Sequence, residues 1–516
     1  DLNCGDYHGN TYSYLTNAVA EGLITEEEID VSLKRLMKAR FKLGMFDSED
    51  KVSYSKIPYS VVGSAEHLAL TREAAEKSLV LLKNDGILPL EADVKVAVIG
   101  PNADNLDILL GNYNGKPVNP LTPLKGIKQY LGDDNVQYAP GSALAEGLYS
   151  HYQPLPADVL WHKNAYGKLV PGLIAEYYPD PHFFDQPVIV RVDSTIDFAW
   201  EKAPINGLSE DEFGIRWQVF IKPESTSTYQ FSIANNMEVK INGELVTGSV
   251  TLEEGKLYSL AVESLIVSTW WAASIEPEVE LGWLDLEKDM AAEAMGAVDK
   301  SDVIIFVGGI SARLEGEERD LELDGFSHGD RTHINLPKPQ EDLLKALHKT
   351  GKPIVYVNLS GSAIALNWQE ENASAVIQGF YPGEATGAAL ARLLWGQYSP
   401  SGRLPVTFYK SVDDLPAFTD YTMNNRTYKY YEGDVLYPFG YGLSYGDFTY
   451  SDISVDSSKA SSRSYEVAVT VSNSGLMDSD EVVQLYLSMP DTNIKTPIQQ
   501  LARFCLLYTS PSPRDP

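Results

Sequence analysis

Hydrophobic positions along the 516-residue chain follow two rhythms in turn. Residues 11–44 carry apolar side chains at helical spacing, and Thr25 with Glu28 forms the T-x-x-E arrangement of a capping box. Gly44 and Phe46-Asp47 end that pattern, and residues 48–64 are a polar connection. A second amphipathic pattern predicts a helix over 65–84, which Asp85-Gly86 turns and Pro89 stops. VKVAVIG (94–100) is continuously apolar, as suits a parallel strand buried on both faces. A helix over 121–131 and a short strand over 135–138 follow. From 170 to about 285 the helical period vanishes, and short alternating runs (GLIAEYY, FGIRWQVFIK, STYQFSIAN, MEVKINGELV, YSLAVESLIV, EVELGWL) take its place. Turn residues separate them, and Asn242-Gly243 favours a type I′ hairpin, so an inserted antiparallel β-sandwich is predicted. Tyr177, Tyr178, Trp217 and Tyr229 read as its core rather than as a ligand platform.

The helix–strand rhythm resumes at 288, so the insertion (166–285) interrupts one α/β domain made of 65–165 and 286–410. An aromatic-rich loop, 411–446, leads to alternating runs over 447–504 that predict a partial second β-sandwich lacking its last strands. The closing residues abandon the alternation and end in a Pro/Ser stretch, so 505–516 are set apart as a non-native tail.

One stretch stands out. The apolar run Val303 to Val307 meets Gly308-Gly309, then a loop with Glu315, Glu317, Glu318 and Asp320 that closes on Gly329-Asp330-Arg331 and Leu336-Pro337. Ligands of open α/β sheets bind at that end of a strand, and loops of this length inside a compact domain are usually functional. The bland alternative is a solvated face, because the whole chain is acidic, with a net charge of −31.

That charge repels polyanions and argues against nucleic acid as a partner. No apolar run approaches the ~20 residues of a membrane span. Cys4 and Cys505, near opposite ends, give neither a disulfide framework nor a metal site. Gly442-Leu443-Ser444-Tyr445-Gly446 matches the G-x-S-x-G nucleophile elbow, but a strand rather than a helix follows it. The eight histidines show no H-E-x-x-H, and there is no Walker loop or G-x-G-x-x-G, so no cofactor is expected. Carboxylates remain. A glycosidase needs two, one to protonate the leaving oxygen and one to attack or to activate water, and crowding by like charges suits the acid.

Several blocks together resemble glycoside hydrolase family 3: DLNCG with RFKLGMFD, REAAEKSLVLLKNDGILPL, FVGGISARLEGEERD with GDR and LP, YPGEATG, SPSGRLPVTFY, and RTYKYYEGDVLYPFGYGLSY. The resemblance runs to about residue 504. It implies a multidomain α/β plus all-β fold: residues 1–64 as the remnant of a (β/α)8 barrel with its linker, the α/β sandwich domain, a protective-antigen-type β-sandwich insertion, and a partial fibronectin type III-like domain. It implies a retaining exo-β-glycosidase acting on oligosaccharides, with an Asp nucleophile on the barrel and an acid/base Glu reaching across from the α/β domain. Within LEGEE the matching position is Glu317, ahead of Glu315 and then Glu318. Asp330 and Arg331 match the family's D-R, either supporting the sugar or fixing the loop by an ion pair. In the family the nucleophile precedes the DLNCG match, so the chain reads as lacking its start and as inactive alone. The Cys-Gly of DLNCG resembles the β-xylosidase branch more than the β-glucosidase branch. Export to a periplasm or the extracellular space is implied too. The competing class is a non-catalytic carbohydrate-binding scaffold.

Overall fold

The computed structural model describes residues 12–509, apart from 116, 201–204, 206, 210–211, 234–235, 268–277, 318, 320, 459–464, 476 and 490–492. Asp1 and Cys4, the loop carboxylates Glu318 and Asp320, and residues 510–516 lie outside the described residues. The chain forms two compact units, 1–70 and 71–516.

The first unit holds the helices Leu15–Ala20 and Glu26–Lys42. The capping box forms as the spacing predicts. Thr25 Oγ1 accepts from the Glu28 amide at 3.2 Å, and the Glu28 carboxylate accepts from the Thr25 amide at 2.9 Å. Acidic residues in the first turn and Arg40 and Lys42 in the last suit the helix dipole. Phe41, Leu43 and Met45 are exposed.

The second unit is built around one sheet. Its strands are β1 (Val80–Asn84), β2 (Val96–Ile99), β3 (Val136–Ala139), β4 (Val303–Gly309), β5 (Ile354–Leu359) and β6 (Ala375–Gln378). Their order is β1-β6-β5-β4-β2-β3, all parallel except β1, which pairs antiparallel with β6 at one edge. β1 corrects the sequence reading: the helix expected over 65–84 ends at Ser78. Leu79 to Leu82 are all buried and supply apolar groups to both faces of the sheet, which a strand satisfies and a one-sided helix does not. Every residue of β4 is buried, between one apolar layer with Phe306, Leu343 and Leu347 and another with Ile305, Val307 and Leu390. Full burial of each such side chain contributes about 1.5–3 kcal/mol.

The insertion forms an eight-stranded and a four-stranded sheet. Gln153–Pro154 and Leu160–Lys163 already pair into them, so these sheets take in chain ahead of residue 166. Tyr177, Tyr178, Trp217 and Tyr229 are buried, and their hydroxyl and indole groups find partners such as Asp193, which accepts from Tyr177 at 2.9 Å and Trp217 at 3.1 Å. They are core, as read.

The last four strands are β7 (Phe448–Asp456), β8 (Glu466–Asn473), β9 (Ser479–Leu487) and β10 (Gln500–Thr509), which pair as β7–β8 and β9–β10. Cys505–Thr509, set apart as tail, lie in β10 because Ser479 to Val483 pair with them one for one. Ile453, Val455, Phe504 and Leu506 on these strands are exposed. No helix among the described residues is long and apolar enough to cross a membrane.

Candidate active site

After β2 the chain passes to β3 on one side, and later to β4 and β5 on the other. The switch point therefore lies at the C-terminal ends of β2 and β4, where a crevice between diverging connections is the favoured ligand site. A cleft of about 470 Å³ opens there, lined by Gly111 and Asn112 from the loop after β2, Glu315 to Glu317 and Gly329 to Arg331 from the loop after β4, Gly361 and Ser362 after β5, and Tyr381 after β6. Its size is that of an ordinary small-molecule site.

The strand end beneath it is pinned by a buried glutamine. Gln340 Oε1 accepts from the Gly309 amide at 2.9 Å, while its Nε2 donates to the Gly309 and Leu144 carbonyls. Alongside, the buried Asn358, Ser360 and Gln378 satisfy one another: Asn358 Nδ2 donates to Gln378 Oε1 at 2.6 Å and to Ser360 Oγ at 2.8 Å, and Ser360 Oγ donates to the Ser362 carbonyl at 2.8 Å. A buried polar network satisfied in this way fixes the loop above it. Gly329, with φ of 89°, folds the carboxylate loop back so tightly that a Cβ there would collide with the Gly316 carbonyl.

The loop's carboxylates separate sharply. Glu315 is half-buried and fully engaged. Its Oε1 accepts from the Gly361 amide at 2.7 Å and the Tyr381 hydroxyl at 2.6 Å, and its Oε2 from Ser362 Oγ at 2.5 Å. Glu317 is exposed, and its Oε2 accepts from the hydroxyl of Tyr113. Glu318 lies outside the described residues. Asp330 is exposed on the cleft wall. Arg331 runs behind Glu315: it donates to Ser362 Oγ at 3.1 Å and to the His333 and Asn335 carbonyls, and its guanidinium lies 4.9 Å from the Phe326 ring centre. Desolvation draws the Arg331 pKa below its ordinary value, against the opposing pull of Glu315. Burial and the charge of Glu315 hold the Tyr381 hydroxyl well above the usual tyrosine range. The hydrogen bond to Glu317 raises that of Tyr113.

Tyr381, Gly361, Ser362, Asn112 and Tyr113 were not singled out from sequence. Gly361, Ser362 and Tyr381 share a signal of position, each following within three residues on an apolar run that becomes a parallel strand, whereas Asn112 and Tyr113 lie farther along the loop after β2. Phe380 (φ 55°) turns the chain just before Tyr381, and Tyr113 itself has φ of 56°. Each such residue costs about 1–3 kcal/mol, and such strain collects at functional sites. Among the described residues, no group of three or more His, Cys, Asp or Glu side chains is placed to hold a metal ion.

The sequence family decides what this cleft belongs to. Residues 79–445 match the Glycosyl hydrolase family 3 C-terminal domain. The chain belongs to glycoside hydrolase family 3. It is 34% identical over 524 residues to a xylan 1,4-β-xylosidase of Xylanibacter ruminicola, covering 96% of this chain and 58% of that protein. It is 27% identical over 548 residues to a β-glucosidase of Rhizobium radiobacter, covering 96% of this chain and 62% of that protein. It superposes on the β-glucosidase of Kluyveromyces marxianus in complex with glucose with a TM-score of 0.70 at 25% identity, covering 99% of this chain and 63% of that one. The chain thus spans about three fifths of the length of these relatives. The fold is the family's multidomain mixture of α/β and β structure. Of the two glutamates that line this glycoside hydrolase family 3 chain's cleft among the described residues, Glu315 is locked in hydrogen bonds and Glu317 is exposed at the rim, with Asp330 exposed on the wall.

Proposed function

We propose that this chain is the acid/base part of an exo-acting, retaining β-glycosidase that removes terminal sugars from plant-derived oligosaccharides, with Glu317 as the general acid/base. One observation carries the reading: of the two described carboxylates beside Gly316, Glu317 is exposed on the cleft, whereas both oxygens of Glu315 already accept from Gly361, Ser362 and Tyr381. An acid/base must exchange a proton with the glycosidic oxygen and then with water, so it needs a reachable oxygen. Glu315 and Arg331 shape the wall behind it, and Asp330 faces the sugar. The nucleophile is an Asp on a (β/α)8 barrel outside these 516 residues. Residues 1–64 are the end of that barrel and its linker, and the exposed apolar side chains among the described residues 12–64 support this. The α/β domain comprises 65–165 and 286–410, the insertion is protective-antigen-type, 411–446 connects, and 447–504 belong to a fibronectin type III-like domain. We take the enzyme to work in a periplasm or outside the cell; one β-glucosidase relative, of Salmonella typhimurium, is called periplasmic.

Xylose is the favoured sugar. The Cys-Gly of DLNCG supports it, and so does the 34% identity to the xylosidase against 27% to the glucosidase. The test compares aryl β-xyloside and β-glucoside turnover by the complete gene product and by this chain alone. The complete protein is expected to prefer the xyloside, and this chain alone to turn over neither. Preference for the glucoside would reassign the sugar. Turnover by this chain would overturn the missing-nucleophile reading. No turnover by the complete protein would favour a carbohydrate-binding scaffold.

A further inference from the structure

The loop after β2 reaches across the crevice and grips the carboxylate loop at several points. Asn112 Nδ2 donates to the Glu315 carbonyl at 3.0 Å, and its Oδ1 accepts from Arg319 at 3.3 Å. Arg313 pairs with Asp107. At the tip, Tyr113 donates to Glu317 while its own side chain is 88% exposed and its backbone is held at φ of 56°. A bulky residue at positive φ, without burial to reward it, is held there by the contacts it makes.

We propose that Tyr113 is a positioning residue that holds the Glu317 carboxyl toward the glycosidic oxygen in both of its protonation states. This rests on the acid/base reading of Glu317 and adds to it. An acid/base group alternates between carboxylate, which only accepts, and carboxylic acid, which donates. The acid still keeps a carbonyl oxygen that accepts, so one donor on Oε2 holds the carboxyl in both states while the other oxygen carries the transferable proton. A neutral phenol donates without adding the positive charge by which Arg or Lys would favour the carboxylate over the acid. Both oxygens of Glu315 instead accept, from Gly361 and Tyr381 on one and Ser362 on the other, which leaves neither for a transferable proton. The two carboxyls thus have partners matched to different tasks, and the raised pKa of Tyr113 keeps its proton available beside a charged Glu317.

The test is Tyr113→Phe in the complete enzyme, with kcat/KM measured on a dinitrophenyl glycoside, whose leaving group needs no proton, and on an alkyl glycoside or disaccharide, which needs one. Glu317→Ala is measured alongside. The expected result is a loss of about 10-fold or more on the poor leaving groups and little change on the activated one. Equal losses on both, or none on either, would overturn the proposal. If Glu317→Ala itself shows no leaving-group dependence, the acid/base reading fails. If Glu317→Ala shows it and Tyr113→Phe does not, only the role of Tyr113 falls.

Discussion

The wall of the cleft and the tip of its loop place two glutamates, separated by Gly316 alone, under opposite conditions. At the wall, Glu315 joins the ends of β5 and β6 to the loop after β4 through Gly361, Ser362 and Tyr381, with Arg331 behind. At the tip, Glu317 meets solvent and one phenol from the loop after β2. A carboxylate with three donors is a structural joint, because moving it leaves polar groups unpaired. A carboxylate with one adaptable partner is free to trade its proton. The difference teaches that acidity in a loop is divided by hydrogen bonding and not by composition: the motif places two glutamates side by side, and the strand ends make their surroundings unequal.

The largest effect expected from breaking this contrast is at the tip. Glu317→Gln in the complete enzyme should lower kcat by about 10²–10⁴ on poor leaving groups while the melting temperature stays put, as steady-state kinetics and calorimetry would show. Glu315→Ala should do the reverse in kind. It leaves the Gly361 amide, Ser362 and Tyr381 without their acceptor, and denaturant unfolding should record a loss of about 3 kcal/mol, about one per hydrogen bond. Gly361→Ala sharpens the point without touching a carboxylate. Its Cβ would stand 2.6 Å from Glu315 Oε1 and 2.8 Å from the Tyr381 ring, an overpacking that should cost about 1–3 kcal/mol in the same assay. Tyr381→Phe removes one of the three donors and should cost about 1 kcal/mol. Were Glu317→Gln to unfold the protein, or Glu315→Ala to leave stability unchanged, the division between joint and proton carrier would not hold.

Much of this was legible in the chain. The run Val303 to Val307 and the two glycines after it announce β4 and the loop it opens, because continuous apolarity followed by glycine is what a doubly buried strand end requires. The buried aromatics of the insertion follow from alternation. Other features were hidden for definite reasons. Val80 to Leu82 continue a helical pattern, and only pairing with Ala375 to Gln378, nearly 300 residues away, makes them a strand. The resemblance ranks Glu317 ahead of Glu315 in the motif, but nothing in the motif itself says how their surroundings differ. What separates them comes from Tyr113, Gly361, Ser362 and Tyr381, which meet the loop only once the sheet has ordered β2, β5 and β6 around β4. Arg331 could be read as an ion-pair partner or a sugar contact, and the hydrogen bonds it makes, to the His333 and Asn335 carbonyls and Ser362, were not legible in the motif.

The central claim is that Glu317 alone of the two exchanges the catalytic proton. Its most direct test is chemical rescue of the complete enzyme on a dinitrophenyl β-glycoside. With Glu317→Ala, added azide should restore turnover and yield the β-glycosyl azide, because a small anion can enter the space left by the carboxyl and attack without base assistance. With Glu315→Ala, azide should restore nothing. Rescue of Glu315→Ala, or its absence in Glu317→Ala, would contradict the account.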